Sequence, residues 1–215
     1  MVDTTPSEPA SALQDEARAC SFVPAFPELQ LPTQRLILRP LALEDAQALF
    51  QICSDPAVMR YAGSLPWSVL AQAQQRIERH LAAHLKDEYL CLGLFRQDNA
   101  RLLGTCTLFN LSEQCRRAEI GYILARPLWG CGYMHEALVA LIDYGIQAIQ
   151  LNRIEADVDP RNLASVKSLQ RLGFHQEGYL RERWIVAGEV SDSALYGLLA
   201  SAWLLRRAGS AHASG

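Results

Sequence analysis

Ile123-Leu-Ala-Arg-Pro-Leu-Trp-Gly-Cys-Gly-Tyr-Met-His-Glu-Ala137 joins two kinds of hydrophobic pattern. Upstream, Ala118 to Ala125 reads as a short β-like run, and downstream Leu138, Leu141, Ile142, Tyr144 and Ile149 recur at the spacing of a helix face. Arg153 to Val158 is β-like again. The unit from 118 to 158 therefore reads as strand, glycine turn, helix, strand, which implies a parallel pair with a right-handed crossover. Glycines at 130 and 132 let backbone N–H groups approach an anion, and the dipole of the following helix adds positive partial charge, so the turn is a candidate phosphate seat. Glycines at such a turn are also what a purely structural junction shows. No Lys-Ser or Lys-Thr follows them, which excludes a nucleotide P-loop, and no third glycine has the spacing of a dinucleotide fold.

Working towards the amino end, Leu102 to Leu108 and Tyr89 to Phe95 are two more β-like runs, so residues 89 to 125 read as a three-stranded meander. Leu70, Ala73, Ile77, Leu81 and Leu85 form a helical stripe that Ser68 is placed to cap. Ala46, Leu49, Phe50 and Cys53 mark an earlier helix, stopped at Asp55-Pro56, and Arg35 to Arg39 a strand closed by Pro40. Towards the carboxyl end, Asn162 to Leu172 suits a short helix ended by Gly173, with Phe174 placed to seal it. Strands near Gln176 to Val186 and Ala194 to Leu199 complete a mixed α/β (α+β) pattern. Residues 1–31 read as a flexible leader, 32–206 as a single domain and 207–215 as a flexible tail.

With 215 residues, 50% hydrophobic and 20% charged, the chain can bury one sizeable core. A net charge of −3 provides no basic field for nucleic acid or an anionic membrane surface. The apolar stretches, such as Leu195 to Leu205, are interrupted and fall short of the roughly 20 residues that span a bilayer. Met1 to Ala19 carries four acidic residues and no continuous apolar core, so it fails as a secretory signal. Six scattered cysteines contain no C-x-x-C pair, and a reducing cytoplasm is the simplest setting. His80 and His84 stand four apart on one helix, yet no third ligand is evident, and no metal is expected.

The quoted stretch, together with Asn162-Leu-Ala-Ser165 and Leu172-Gly-Phe174, resembles the acetyl-coenzyme A core of the GNAT acyltransferase superfamily. Thr33 to Pro40, Ser54 to Tyr61 and Ala118 to Tyr122 are similar in order and spacing to its RimJ/RimL branch, named for ribosomal-protein N-terminal acetyltransferases. The likeness covers about residues 33 to 204. It implies a mostly antiparallel sheet of about seven strands, splayed at a central parallel pair and flanked by about four helices. It also implies acetyl transfer from acetyl-coenzyme A to a primary amine, most naturally a protein N-terminal α-amine. Small amines such as amino acids, polyamines or antibiotics are the alternative acceptors, and a non-catalytic acyl-coenzyme A-binding module is a third reading.

Residue by residue, the resemblance implies that the pyrophosphate sits on the turn Trp129, Gly130, Cys131, Gly132, Tyr133 and Met134. It places Leu124 beside the thioester, where a backbone N–H polarises the acetyl carbonyl. Asn162 would hydrogen-bond the pantetheine arm and Ser165 lie near the sulfur; capping the helix is the plainer role for both. Met134 stands where the superfamily has a small residue and so would reshape the loop. Leu169 stands where many relatives carry a thiolate-protonating tyrosine, which leaves Ser165 or a water to act. An amine must be deprotonated before it attacks, so a base is expected. Glu119 is the first candidate and Asp157 the second, each with a plain solvated or salt-bridged carboxylate as the alternative. Tyr61, Trp67 and Trp184 come from segments bordering the acceptor cleft, and His135 lies just inside the helix after the turn. No Cys-His pair is placed for an acyl-enzyme, so direct attack in a ternary complex follows. Monomer and homodimer are both open.

Overall fold

A computed structural model describes residues 29–84 and 89–212. Most of the expected leader, the last three residues of the expected tail, Leu85 and Cys20 lie outside the described residues. The elements run β1 (Leu31–Pro32), β2 (Leu36–Arg39), α1 (Ala46–Cys53), α2 (Pro56–Met59), α3 (Leu70–His84), β3 (Leu90–Arg96), β4 (Leu102–Ser112) and β5 (Arg117–Leu124). They continue with α4 (Tyr133–Gln147), β6 (Arg153–Val158), α5 (Leu163–Leu172), β7 (His175–Val186), β8 (Glu189–Leu199) and α6 (Ala200–His212).

The strands form one eight-stranded sheet in the order β1-β2-β3-β4-β5-β6-β8-β7. All neighbours are antiparallel except β5 and β6. That parallel pair is joined only over Arg117 to Glu119 against Arg153 to Glu155. Beyond Glu119 the two strands part while β4 stays paired with β5 as far as Leu124, so a cleft opens in mid-sheet. The expected splay at a parallel pair is present. The sheet has one strand more than the seven or so expected, because Leu31–Pro32, which straddles the expected boundary between leader and domain, pairs with Leu38 and Ile37.

Alternation along the strands divides the core between the two faces. One face gathers Leu36, Leu38, Leu92, Leu94, Cys106, Leu108, Ala118 and Ile120 under Leu138, Leu141 and Ile142 of α4, Leu169 and Leu172 of α5 and Trp203 of α6. The other packs Phe95, Leu102 and Ile123 against Leu49, Ile52 and Cys53 of α1, Met59 of α2 and Ala73 and Ile77 of α3. On β5 this puts Tyr122 on the α4 and α5 side and Glu119 on the opposite side.

Four helix expectations change. Among the described residues there are six α-helices, because α2 and α6 add to the four or so expected. Asp55-Pro56 stops α1 and also starts α2, the Asp55 carboxylate accepting the Ala57 N–H at 2.8 Å with proline in the first turn. The start of α3 is tied by Gln72, whose side-chain oxygen accepts the N–H groups of Ser68 and Val69, and Leu70 and Leu81 of its stripe are exposed. At the carboxyl end α6 continues to His212, past the boundary expected at Arg206. Its register presents Trp203, 3% exposed, to Asp143 of α4 through an indole hydrogen bond of 2.8 Å.

Candidate active site

The turn that follows β5 is built to leave donors free. Gly130 and Gly132 hold φ of 77° and 81°, a left-handed conformation that costs any other residue. Gly132 is the N-cap of α4 and no side chain caps it, so the first-turn N–H groups face outward. A Cβ on Gly130 would meet nothing within 4 Å, so the space above the turn is open. These features fit a diphosphate held by backbone N–H groups and the helix dipole. Trp129 is half-exposed and its indole donates to the Leu124 carbonyl at 2.8 Å, which ties the turn to the end of β5. Met134 is buried in the core beneath the helix, so its side chain packs inward. Cys131 is exposed and its thiol lies 3.7 Å from the Trp129 carbonyl.

Sequence reading missed the brace behind this turn. Glu136 of α4 accepts from the Thr33 hydroxyl at 2.6 Å, the Arg35 N–H at 2.6 Å and the Arg35 Nε at 2.7 Å. The same guanidinium donates to the Cys131 carbonyl at 3.1 Å and lies 4.3 Å over the Tyr133 ring. Nothing in the local spacing could pair residues 101 positions apart; only the return of β1 and β2 beside α4 does so.

Asn162 accepts the Ser165 N–H at 3.1 Å and so caps α5. Ser165 in turn shares a 2.8 Å hydrogen bond with the hydroxyl of Tyr122. Burial pushes the Tyr122 phenol pKa up, against the lowering effect of Ser165 and Ser168, so it stays protonated at neutral pH. In the sequence Tyr122 stands out only as the last residue of the Ala118 to Tyr122 motif. Its place on the same face as Ala118 and Ile120 is the signal that could have singled it out. Leu169 is fully buried and forms part of the C-terminal seal of α5, its carbonyl accepting the Phe174 N–H at 3.0 Å beside Gly173.

On the opposite face, Glu119 accepts from the Asn110 amide at 2.9 Å and sits in register with Glu155 across the parallel pair. Glu155 is held by Arg117 at 2.6 Å and Arg153 at 2.7 Å, which leaves Glu119 the less committed carboxylate of the two. Asp157 accepts from Arg183 at 3.3 Å, from the Trp184 indole at 3.2 Å and from the buried Ser193 hydroxyl. The fold thus joins Asp157 and Trp184, and the three donors make this carboxylate a fixed anchor for the indole. Tyr61 is exposed beside Arg60, which reaches Glu189 of the β7–β8 hairpin at 2.9 Å. Trp67 lies apart from that group, packed on the second core with its backbone N–H donating to the Cys53 carbonyl at 2.9 Å. Cys53 and Cys91 are buried thiols pushed up to about 12 and about 11 by desolvation, so neither is a ready nucleophile. Among the described residues no group of three or more His, Cys, Asp or Glu is arranged to hold a metal, and no helix is long and apolar enough to cross a membrane.

The acetyltransferase (GNAT) domain family matches residues 35–175. An uncharacterized N-acetyltransferase p20 of Bacillus licheniformis is 38% identical over 79% of this chain and 95% of its own length. The ribosomal protein uS5-alanine N-acetyltransferase of Escherichia coli K12 is 28% identical over 82% of this chain and 94% of its own. The spermidine N(1)-acetyltransferase of the same organism is 24% identical over 73% and 81%. In three dimensions, a GNAT-family acetyltransferase from Bacillus anthracis superimposes with a TM-score of 0.73 at 22% identity, covering 80% of this chain and 99% of that one.

Proposed function

From the premise that the chain belongs to the GNAT acetyltransferase family and is an N-acetyltransferase, we propose that it transfers the acetyl group of acetyl-coenzyme A to the α-amine of a peptide or protein by direct attack. The observation that carries this reading is the cleft between β5 and β6, with a different chemistry on each face. The glycine turn, Asn162 and the Tyr122–Ser165 hydroxyl pair lie on the α4 and α5 side, suited to the thioester. Glu119 and the Asp157–Trp184 pair lie on the other, suited to the amine. Cosubstrate and acceptor meet where the strands part.

In the reaction, the amine nitrogen bonds to the acetyl carbon as the carbon–sulfur bond breaks. The amine proton leaves to Glu119, directly or through water, and a backbone N–H near Leu124 takes the charge developing on the carbonyl oxygen. The thiolate is protonated from the Tyr122–Ser165 pair, which supplies the acid that Leu169 cannot. The protein acceptor is supported by the uS5-alanine acetyltransferase relative. The spermidine acetyltransferase relative supports a second reading, a small polyamine acceptor.

Thiol release from acetyl-coenzyme A is measured against N-terminal peptides, free amino acids, aminoglycosides and spermidine, for wild type and Glu119→Gln. Turnover on peptides, with kcat lowered by about 10²-fold in the variant and KM for acetyl-coenzyme A unchanged, is the expected result. Turnover on spermidine alone replaces the acceptor and keeps the chemistry. Binding without release on any acceptor supports an acyl-coenzyme A-binding module instead.

A further inference from the structure

The ladder between β7 and β8 carries a break in mid-hairpin. Leu180 lies opposite Ser193 and Trp184 opposite Ser191, so Arg181, Glu182 and Arg183 stand against the single residue Asp192. Two residues are surplus, and Glu182 takes a φ of 55° within the bulge they form. Its carboxylate partner holds that conformation: Asp192 accepts the Glu182 N–H at 2.8 Å and the Tyr179 hydroxyl at 2.5 Å. A left-handed backbone at a non-glycine residue persists only where its surroundings fix it, and here one side chain does so. The tip of the hairpin is tied as well, since Glu189 accepts from Arg60 at 2.9 Å and from Arg161 at 2.7 Å.

The bulge decides where Trp184 stands. In an unbroken ladder running on from Leu180 and Ser193, Trp184 would face Glu189; it faces Ser191 instead. At about 3.4 Å per residue, that draws it roughly 7 Å back along the hairpin towards the body of the sheet. There its indole donates to Asp157 at 3.2 Å, and Arg183 donates to the same oxygen at 3.3 Å. Asp157 follows Glu155 on the same face of β6, just past the last pairing with β5, so it borders the gap where the strands part. Trp184 is 47% exposed although its N–H is fixed. The result is a held, half-open aromatic surface on the β6 side of the gap, with Glu119 on the β5 side.

We propose that the bulge pinned by Asp192 seats Trp184 as a wall of the acceptor site, against which the first peptide units of the acceptor pack. The inference rests on the reading of a peptide α-amine as the acceptor. A peptide whose amine lies at Glu119 leaves the gap on this face of the sheet, where the indole offers flat apolar area to amide planes and apolar side chains. Because the ring is already held on Asp157, packing against it costs little further ordering. Trp184 is then a specificity-determining residue. Asp192 acts on it through the backbone at Glu182, which makes Asp192 a positioning residue.

Steady-state kinetics on tetrapeptides beginning with Ala, Ser or Met, and on spermidine, test this with wild type, Trp184→Ala, Trp184→Phe, Asp192→Ala, Asp192→Asn and the Trp184→Ala/Asp192→Ala double variant. Trp184→Ala is expected to raise the KM for the peptides about tenfold, with the KM for acetyl-coenzyme A held and kcat little changed, while Trp184→Phe keeps most of the wild-type value. Asp192→Ala should raise the peptide KM in the same way, and Asp192→Asn, which can still accept the Glu182 N–H, should restore part of it. The double variant should be no worse than Trp184→Ala alone, because both changes remove one wall. Peptide turnover with a KM that Trp184→Ala leaves unmoved overturns the wall and keeps the acceptor. Additive effects in the double variant, or a joint rise of both KM values in Asp192→Ala, overturn the positioning role. Turnover of no peptide overturns the peptide reading and this wall together.

Discussion

Glu136 is where a single side chain decides the shape of the glycine turn. Burial alone would raise its pKa, but the Thr33 hydroxyl and the Arg35 guanidinium and N–H outweigh that and hold it below the usual carboxylate value. A depressed folded-state pKa stabilises the protein above the unfolded value near 4.5 and loses that contribution as pH falls through the folded one. Glu136→Gln should therefore cost roughly 1–3 kcal/mol at neutral pH, with the gap to wild type narrowing as pH falls below the unfolded value and through the folded one. Urea unfolding of both proteins at pH 7 and pH 3.5 checks this; an equal gap at both values removes the ionic part of the brace. The same variant should weaken acetyl-coenzyme A binding, because Arg35 also holds the Cys131 carbonyl in the turn. Arg35 and Glu136 were both present in quoted motifs, but their partnership depends on a contact across 101 residues that no periodicity encodes.

At the scale of the element, the junction between β5 and α4 shows how local chemistry fixes a loop. Gly132 combines a φ of 81° with the Arg35 guanidinium 3.4 Å from where a Cβ would lie. Gly132→Ala is expected to cost about 1–2 kcal/mol from the left-handed backbone and to rotate the N–H groups that open α4. Calorimetry should show weaker binding of acetyl-coenzyme A, while Gly209→Ala, at a glycine with open space in α6, should leave binding unchanged. This junction was legible in sequence because its determinants are adjacent in the chain. Helix α5 was legible for the same reason: Asn162, Gly173 and Phe174 each occupy the cap position that their chemistry dictates. Helix α6 was not, since Arg207, Ala208, Gly209 and Ser210 carry no strong helical stripe, and the helix is held from outside by Trp203 and Arg207 on Asp143.

Across the whole molecule, α6 acts as a clasp between the last strand and the α4 face of the sheet. Trp203→Ala should cost roughly 3–5 kcal/mol by opening a cavity in that core, which a thermal melt would record as a large fall in Tm. The two-faced cleft is likewise a property of the entire sheet. It requires β5 and β6 to part after three paired residues while their outer neighbours stay in register.

The amino-acid sequence by itself determined the glycine turn, the helix that follows it, the parallel crossover and the caps of α5. In each case the deciding residues are neighbours in the chain, and the physics of backbone sterics, capping and periodicity acts over a few positions. Family likeness extended that reading to the order of the motifs. Only the tertiary structure decided which side chains meet: Tyr122 with Ser165, Asp157 with Trp184, Glu136 with Arg35, and His135 with Arg171 and Arg206. Those encounters depend on which face each strand turns to each helix, and that choice is made by burying the apolar residues of all the elements at once.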